Sequence, residues 1–350
     1  MAADPRILTE RDLNRALLAR QMLLDRVKAP LPKVLERMGE LQAQYAPSMY
    51  IGLWARMDSF ERDQLDRALE RRSVAQGTLI RTTIHLVSKR DYWPIAIGIR
   101  RGRRESWLKY GQRRNYTVAQ MAAHARKLRA ALGEGTMSRK EIHELLGKDS
   151  IVTNGVNVWL DLIRVPPSGT WDRRRADLYS AAKHWLGPEP KIDEVDGIEL
   201  LVRRYLGAFG PATLAEVSSW VGLHPKRVEP ALDPIKLRRF AAEDGAELLD
   251  VPRAPLPDPD TPAPARFLPT WDATLLVHAR RTGILPEEHR PKIFSAKNPQ
   301  SVPTFLVDGR VAGTWRHVKG KIQTEPFERL DAAAKRELRE EAERLAELHD

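Results

Sequence analysis

Gly135-Thr-Met-Ser138-Arg-Lys-Glu141-Ile142-His-Glu-Leu-Leu-Gly147 and Gly210-Pro-Ala-Thr213-Leu-Ala-Glu216-Val217-Ser-Ser-Trp-Val-Gly222 are the two stretches that decide the fold. They align at an offset of 75 residues, with Gly on Gly, Ser on Thr, Glu on Glu, Ile on Val and Gly on Gly. Each begins where a glycine suits a helix end, passes into a Ser/Thr-x-x-Glu capping box, and stops at a second glycine. That punctuation, used twice, is the skeleton of a helix-turn-helix. A further helical stretch is predicted after each copy, over 156–163 and 226–232, followed by β-rich wings over 165–172 and 237–251.

Toward the N-terminus, residues 9–70 read as consecutive helices. Thr9 with Asp12 makes a capping-box-like start, and Val34, Leu35, Met38 and Leu41 keep a helical period after Pro32. Ser59 is expected to cap a helix carrying Leu65 and Leu69. Residues 78–87, Thr-Leu-Ile-Arg-Thr-Thr-Ile-His-Leu-Val, are rich in β-branched types and read as one strand. Toward the C-terminus, the Pro-dense stretch 252–265 predicts a stiff, extended linker. Beyond it, Val302–Leu306 and Arg310–Trp315 flank Val307-Asp308-Gly309, and Asp-Gly is a strong hairpin signal. Leu330, Ala334, Leu338 and Leu345 mark one face of a final helix. Trp271 and Asp272 are expected to fix the start of this module, and Trp54 and Trp220 to lie in the core.

The expected fold class is mainly α with small β wings: three tandem winged-helix domains plus a C-terminal β-containing module. The predicted units are 1–115, 116–192 and 193–251 for the winged helices, 252–265 for the linker, and 266–350 for the C-terminal module.

The chain has 350 residues and a formal net charge of +11, with arginine dominating the basic clusters, so its field attracts a polyanion such as duplex DNA. A membrane surface is the weaker alternative. No window reaches the roughly 18 apolar residues of a spanning helix, and the first residues lack a signal-peptide core, so a cytoplasmic monomer is expected, nucleoid-associated when on DNA. Without cysteine there is no disulfide, thiol nucleophile or zinc finger, and the nine histidines lack H-E-x-x-H spacing. No cofactor and no metal are expected.

The chemistry-bearing candidate is Gln42-Ala43-Gln44, just before Pro47. Glutamines at i and i+2 do not share a helix face, so a site using both needs the backbone to leave helical geometry. Pro47 favours that by disfavouring helix at Ala46. Taken alone, the tripeptide reads as a solvated helix end. Its context is more specific. Leu41-Gln42-Ala43-Gln44 after the second helix, Ile80-Arg81-Thr82-Thr83-Ile84-His85-Leu86-Val87, Leu268-Pro-Thr-Trp-Asp272 continuing to Ala279-Arg280-Arg281, and Val307-Asp-Gly-Arg-Val-Ala-Gly-Thr-Trp-Arg316 together resemble the AlkZ/YcaQ-type winged-helix DNA glycosylases.

The resemblance covers most of the chain, and the second glutamine, where YcaQ-like members have Asp, places it nearer the AlkZ branch. It implies that Gln42 and Gln44 are catalytic and that the substrate is double-stranded DNA carrying alkylated purines, with bulky adducts and interstrand crosslinks among the lesions. Arg81, Thr82, Thr83 and His85 would line the site, although His85, in a strand amid apolar neighbours, reads more readily as a structural histidine. Here the chain departs from the Arg-Gly-Thr of many relatives, having Thr82 after Arg81. With no lysine adjacent to the motif, the reaction expected is monofunctional hydrolysis.

Arg100, Arg101, Arg103 and Arg104, with Arg113 and Arg114 and interleaved Trp107 and Tyr110, are candidate phosphate contacts, as are Arg173-Arg174-Arg175. Arg310, Arg316 and His317 flank the predicted hairpin, where cations would serve a minor-groove element. The rival reading is a winged-helix transcription regulator or architectural DNA-binding protein without catalysis, because a fold does not fix function.

Overall fold

A computed structural model describes residues 5–39, 41–175, 177–276, 283–294 and 301–349; Ala279-Arg280-Arg281 lie outside the described residues. The elements follow one another in four stretches of chain, called units below. The first holds β1 (Ile7–Leu8), α1 (Glu10–Arg20), α2 (Leu31–Met38), β2 (Leu41–Gln42), α3 (Ala46–Trp54), α4 (Arg62–Glu70), β3 (Val74–Thr78), β4 (Ile84–Ser88) and the long α5 (Lys89–Gln112). The second holds α6 (Val118–Leu132), β5 (Met137–Ser138), α7 (Arg139–Leu145), α8 (Ser150–Gly155), β6 (Leu162–Arg164), β7 (Leu178–Ala181) and α9 (Ala182–Leu186). The third holds α10 (Glu194–Phe209), α11 (Leu214–Val221), α12 (Pro225–Val228), β8 (Arg238–Ala242) and β9 (Glu247–Asp250). The fourth holds β10 (Arg266–Leu268), α13 (Ala273–Leu276), α14 (Arg290–Ile293), β11 (Thr304–Val307), β12 (Arg310–Val318), β13 (Lys321–Pro326) and α15 (Ala332–His349).

The capping signals act as read. Thr9, Ser138 and Thr213 each accept from the backbone N–H three residues on, and Asp12, Glu141 and Glu216 each accept the cap residue's own N–H. Gly222 closes α11 with φ of 76°, a conformation that strains any residue with a Cβ. The Asp308-Gly309 turn joins β11 to β12, and Trp54 and Trp220 are buried.

Sheets stitch the units together. One has the order β2-β4-β3-β6-β7-β5 and runs from the first unit into the second; β1 pairs in parallel with β8 of the third; β10 to β13 form an antiparallel sheet of their own. A large apolar core draws on all four units, the second contributing Ile163, Val165, Trp171, Ala182 and Leu186, while α6, α7 and α8 enclose a second core around Met121, Leu128, Ile142 and Val156. Helices α5 and α10 cross at Gly98 and Gly197. A Cβ on Gly98 would sit 2.7 Å from the carbonyl carbon of Gly197, so only glycine lets the two backbones approach this closely. Two fully buried ion pairs cross unit boundaries: Arg20 with Asp250 at 2.7 Å, and Arg56 with Asp272 at 2.9 Å.

Several expectations are corrected. Residues 78–87 are not one strand: β3 ends at Thr78 and β4 begins at Ile84, with a tight turn between them in which Arg81 and Thr82 have positive φ (50° and 63°). The β-branched run is real, but the chain reverses inside it to make an antiparallel pair. The helix expected over 156–163 lies earlier, because Asp149 caps α8 by accepting from Ile151 N–H (2.8 Å) and Val152 N–H (3.2 Å). Consequently Leu162 and Ile163 are free to enter β6, and residues 165–172 belong to the loop before β7. Ser59 does not cap α4, whose preceding residue is Glu61. The stretch 252–265 is extended but not free. Arg20, Arg11 and Arg15 of α1 donate to the carbonyls of Pro255 (3.0 Å), Pro259 (2.8 Å) and Thr261 (2.7 Å), strapping it along that helix.

Candidate active site

Gly39, with φ of 77°, ends α2; Leu41 and Gln42 form the short strand β2, and the chain bends at Gln44 and Tyr45 before α3. Pro47 sits in the first turn of α3, where its missing N–H costs nothing. The segment is held by β4: Gln42 lies opposite His85 in the antiparallel register, and Ala43 N–H donates to Ile84 C=O at 2.7 Å. In extended chain, side chains two apart share a face. Gln42 closes such a strand and Gln44 lies in the bend after it, yet the two side chains meet: the Gln42 amide nitrogen donates to the Gln44 amide oxygen. Gln42 is buried and Gln44 exposed, so an anchored amide holds a solvent-facing one.

The strand reversal at 79–83 flanks this pair. Leu79 N–H donates to Thr83 C=O (2.9 Å) and Thr82 N–H to Leu79 C=O (3.0 Å), which sustains the left-handed conformations of Arg81 and Thr82. Arg81 donates to Trp220 C=O at 2.6 Å and so ties the turn to the third unit. His85 is fully buried, with Nδ1 3.0 Å from Thr83 C=O.

One residue beyond Gln44, Tyr45 begins the rim of a cavity of about 780 Å³. Its walls come from the start of α3 (Tyr45, Pro47, Ser48, Ile51), from Arg174, from Pro269 and Thr270, from Thr314 to His317 on β12, from Gln323 to Glu325 on β13, and from His349 at the end of α15. Arg174 donates to the Tyr45 hydroxyl at 3.3 Å. His317 and His349 stack with ring centres 4.1 Å apart, and His349 meets Trp171 edge-on at 5.1 Å. Trp171 is itself braced by Tyr50, whose hydroxyl accepts from its N–H at 3.1 Å and bonds Asp66. Burial and that carboxylate push the Tyr50 hydroxyl far above its ordinary value, so it stays a neutral phenol. The Ser48 hydroxyl is buried with no partner among the described residues, beside the cavity.

The basic candidates divide. Arg316 and His317 are exposed and line the cavity, with Arg316 Nε donating to Gln323 at 3.1 Å. Arg310 does not point toward a groove: it pairs with Glu10 at 2.6 Å, while Asp308 takes ion pairs from Arg11 and Arg15, so the predicted hairpin tip is docked on α1. The free turn of this sheet is the next one, at Lys319-Gly320 between β12 and β13. On α5, Arg103 is buried and donates to Asn157 (3.0 Å), Arg100 pairs with Glu189 (2.6 Å) and Asp161 (3.0 Å), and Arg104 donates to Val158 C=O (3.2 Å). Those three brace α5 against the second unit. Arg101, Arg113 and Arg114 are exposed, with Arg101 paired to Glu105 at 2.9 Å and Arg114 lying 4.0 Å over the Tyr110 ring.

Sequence reasoning missed Tyr45, Ser48, Gln323 and His349. Pro47 marked the turn that exposes the first two, but nothing local signals that His349, some 300 residues away, closes the same cavity. Asp272 fixes the fourth unit through Arg56, and Trp271 N–H donates to Ser301 at 2.8 Å. Among the described residues, Glu288, His289 and Glu328 bring three possible metal-ligand atoms within 4.8 Å of one another, outside this cavity. No described helix is long and apolar enough to cross a membrane.

A helix-rich chain with, among the described residues, three small sheets, an amide pair between two helices and an adjoining cavity of about 780 Å³ thus stands beside known proteins of one kind. The chain belongs to the AlkZ-like DNA glycosylase family, whose model matches residues 35–348, and it is a DNA glycosylase. Among curated proteins it is 24% identical over 348 residues to an interstrand DNA cross-link repair glycosylase of Streptomyces sahachiroi, covering 90% of each chain. Among solved structures it superposes on the DNA glycosylase AlkZ of Streptomyces sahachiroi with a TM-score of 0.82 at 19% identity, covering 98% of each chain.

Proposed function

We propose that this chain hydrolyses the N-glycosidic bond of alkylated purines of the N7-alkylguanine type in duplex DNA, bulky adducts and interstrand crosslinks included. The observation that carries this reading is the joined Gln42–Gln44 amide pair one residue from a cavity of about 780 Å³. The crosslink part also follows the name of the Streptomyces relative.

An N7-alkylated purine is cationic before it leaves, so departure needs little help from an acid, and the difficulty moves to the oxocarbenium-like sugar. A glutamine oxygen is too weakly basic to remove a proton outright. It can orient water and place negative electrostatic density beside the developing cation, and it does so best when already fixed. Gln42 fixes Gln44 in that sense. Water adds to the sugar carbon and gives up a proton to solvent, the cationic base departs as a neutral purine with the glycosidic bond's electrons, and an abasic site remains; no lysine neighbours the motif to continue into strand cleavage.

The three α-helical units act as winged helices, with the strand pairs β3–β4, β6–β7 and β8–β9 as their wings. Duplex DNA would run past Gln44, with Arg316, His317 and the Lys319-Gly320 turn on one side and Arg174 on the other. Arg101, Arg113 and Arg114 are kept as backbone contacts; Arg100, Arg103 and Arg104 hold the scaffold. Incubation with a duplex carrying a single N7-methylguanine, then alkaline cleavage and a denaturing gel, tests the reading. Breaks at the lesion support it; sequence-selective binding without breaks on small and bulky adducts would replace it with a binding protein.

A further inference from the structure

A second cavity, of about 70 Å³, lies where β6 meets α7 and α8, and its polar wall comes from Thr78, Arg139, Thr153, Asn154, Arg164 and Tyr179. Among the described residues, no carboxylate lines it. Arg164 is only 9% exposed; it donates to the Thr78 hydroxyl at 3.0 Å and lies 5.3 Å over the Tyr179 ring, while its Nε has no hydrogen-bond partner among the described residues. Arg139 stands at the same cavity, donating to the Asn154 side-chain oxygen at 2.8 Å. Two guanidiniums therefore converge on one small polar space, one of them withdrawn from water without a counter-ion there. A buried cation in that position is costly unless an anion completes it, and arginine's planar donor fork matches a tetrahedral oxyanion.

We propose that this cavity binds a single phosphate group. Its volume accommodates one such group. Two sources share that chemistry, a backbone phosphate of DNA and a free phosphate. The sheet favours neither by exclusion but does set the spacing: β6 lies three strands from β2, roughly 14 Å at about 4.8 Å per strand. That distance corresponds to about four base-pair rises from a lesion at Gln44. Thr78, at the cavity, also pairs with Ile84, whose carbonyl holds Ala43 of the glutamine segment.

The test melts the full chain in sodium chloride and in inorganic phosphate at matched ionic strength. The wild type should show a saturable rise in Tm with phosphate that is lost in Arg139→Gln and in Arg164→Gln. Arg139 is exposed, so its variant carries the test even where Arg164→Gln does not fold. A second arm, which rests on the proposed function, measures the salt dependence of undamaged-duplex binding. A fall of about 0.9 in the logarithmic salt slope for Arg139→Gln identifies a DNA phosphate as the occupant. An unchanged slope with the phosphate response lost identifies free phosphate. No saturable Tm rise in the wild type, or an equal rise in both variants, overturns the proposal whatever the slope, and leaves the glycosylase reading untouched.

Discussion

Replacing Asp272 by Asn removes one charge from the fully buried pair that fastens the fourth unit to the chain just after α3. Arg56 donates to both Asp272 oxygens at 2.9 Å and to Gly52 C=O at 3.0 Å, and neither side chain of the pair meets solvent. Asn keeps an acceptor for Thr274 N–H and its hydroxyl, which Asp272 holds at 3.0 and 2.8 Å, so the loss falls mainly on the ion pair. Breaking a buried pair from one side costs about 3–5 kcal/mol, because the remaining charge stays buried. For a chain of 350 residues the unfolding entropy is about 0.7 kcal/mol/K, so Tm should fall by about 4–7 °C. Arg56→Met alone should fall by less than the acid variant plus cavity would suggest only if the charge is the main cost; the double variant Arg56→Met, Asp272→Leu, which leaves no unpaired charge, should melt above either single one. Differential scanning calorimetry reads all four proteins. Single variants melting within about 1 °C of the parent would refute the claim that this pair is what holds the fourth unit in place.

Thr82 is β-branched in a left-handed conformation, so Thr82→Gly should raise or leave unchanged the Tm, with a gain of up to about 1 kcal/mol after glycine's chain entropy is counted; denaturant melts check it. Arg310→Ala should leave the salt slope of duplex binding unchanged, because Arg310 faces Glu10, whereas Arg316→Ala should lower it by about 0.9, as fluorescence anisotropy over a salt series would register. Glu36 is pushed up by burial, but the hydrogen bond from Lys33 and the charges of Arg204, Lys33 and Arg90 outweigh this and hold its carboxyl below the ordinary 4.5. The unfolded chain therefore takes up this proton first. Stability from Glu36 is fully present above pH 4.5 and lost as pH falls through the lower folded value, so the Tm gap between wild type and Glu36→Gln should close only in acid.

What the sequence made legible was local. The paired capping boxes at Ser138 and Thr213 and the Asp308-Gly309 turn are each decided within a few residues, and each is found as read; the chain is also non-helical at Gln42-Ala43-Gln44, but Pro47 does not keep Ala46 out of helix, because it sits in the first turn of α3, which begins at Ala46. The misread elements turned on competition between signals. Asp149 captured a helix start six residues ahead of the apolar run around Val156, and a strand reversal hid inside the β-branched stretch at 78–87 because neither Gly nor Asn marked it. The candidate site was legible in Gln42 and Gln44 but not in its walls. Arg310 looked like a groove-facing cation until Asp308 was found docked on Arg15, and His349 reaches the cavity only because α15 packs its Leu338 and Leu345 face against the core. Contacts of that sequence separation leave no periodic or capping trace.

The central claim is that Gln42 and Gln44 carry base excision, and single-turnover release of N7-methylguanine from a duplex tests it most directly. With enzyme in excess, Gln42→Ala and Gln44→Ala should each slow excision by about 10²-fold or more, the range expected for removing a preorganised stabilising group. Exposed Gln44 should do so with Tm and undamaged-duplex affinity unchanged. Excision at the wild-type rate by folded Gln44→Ala would contradict the account.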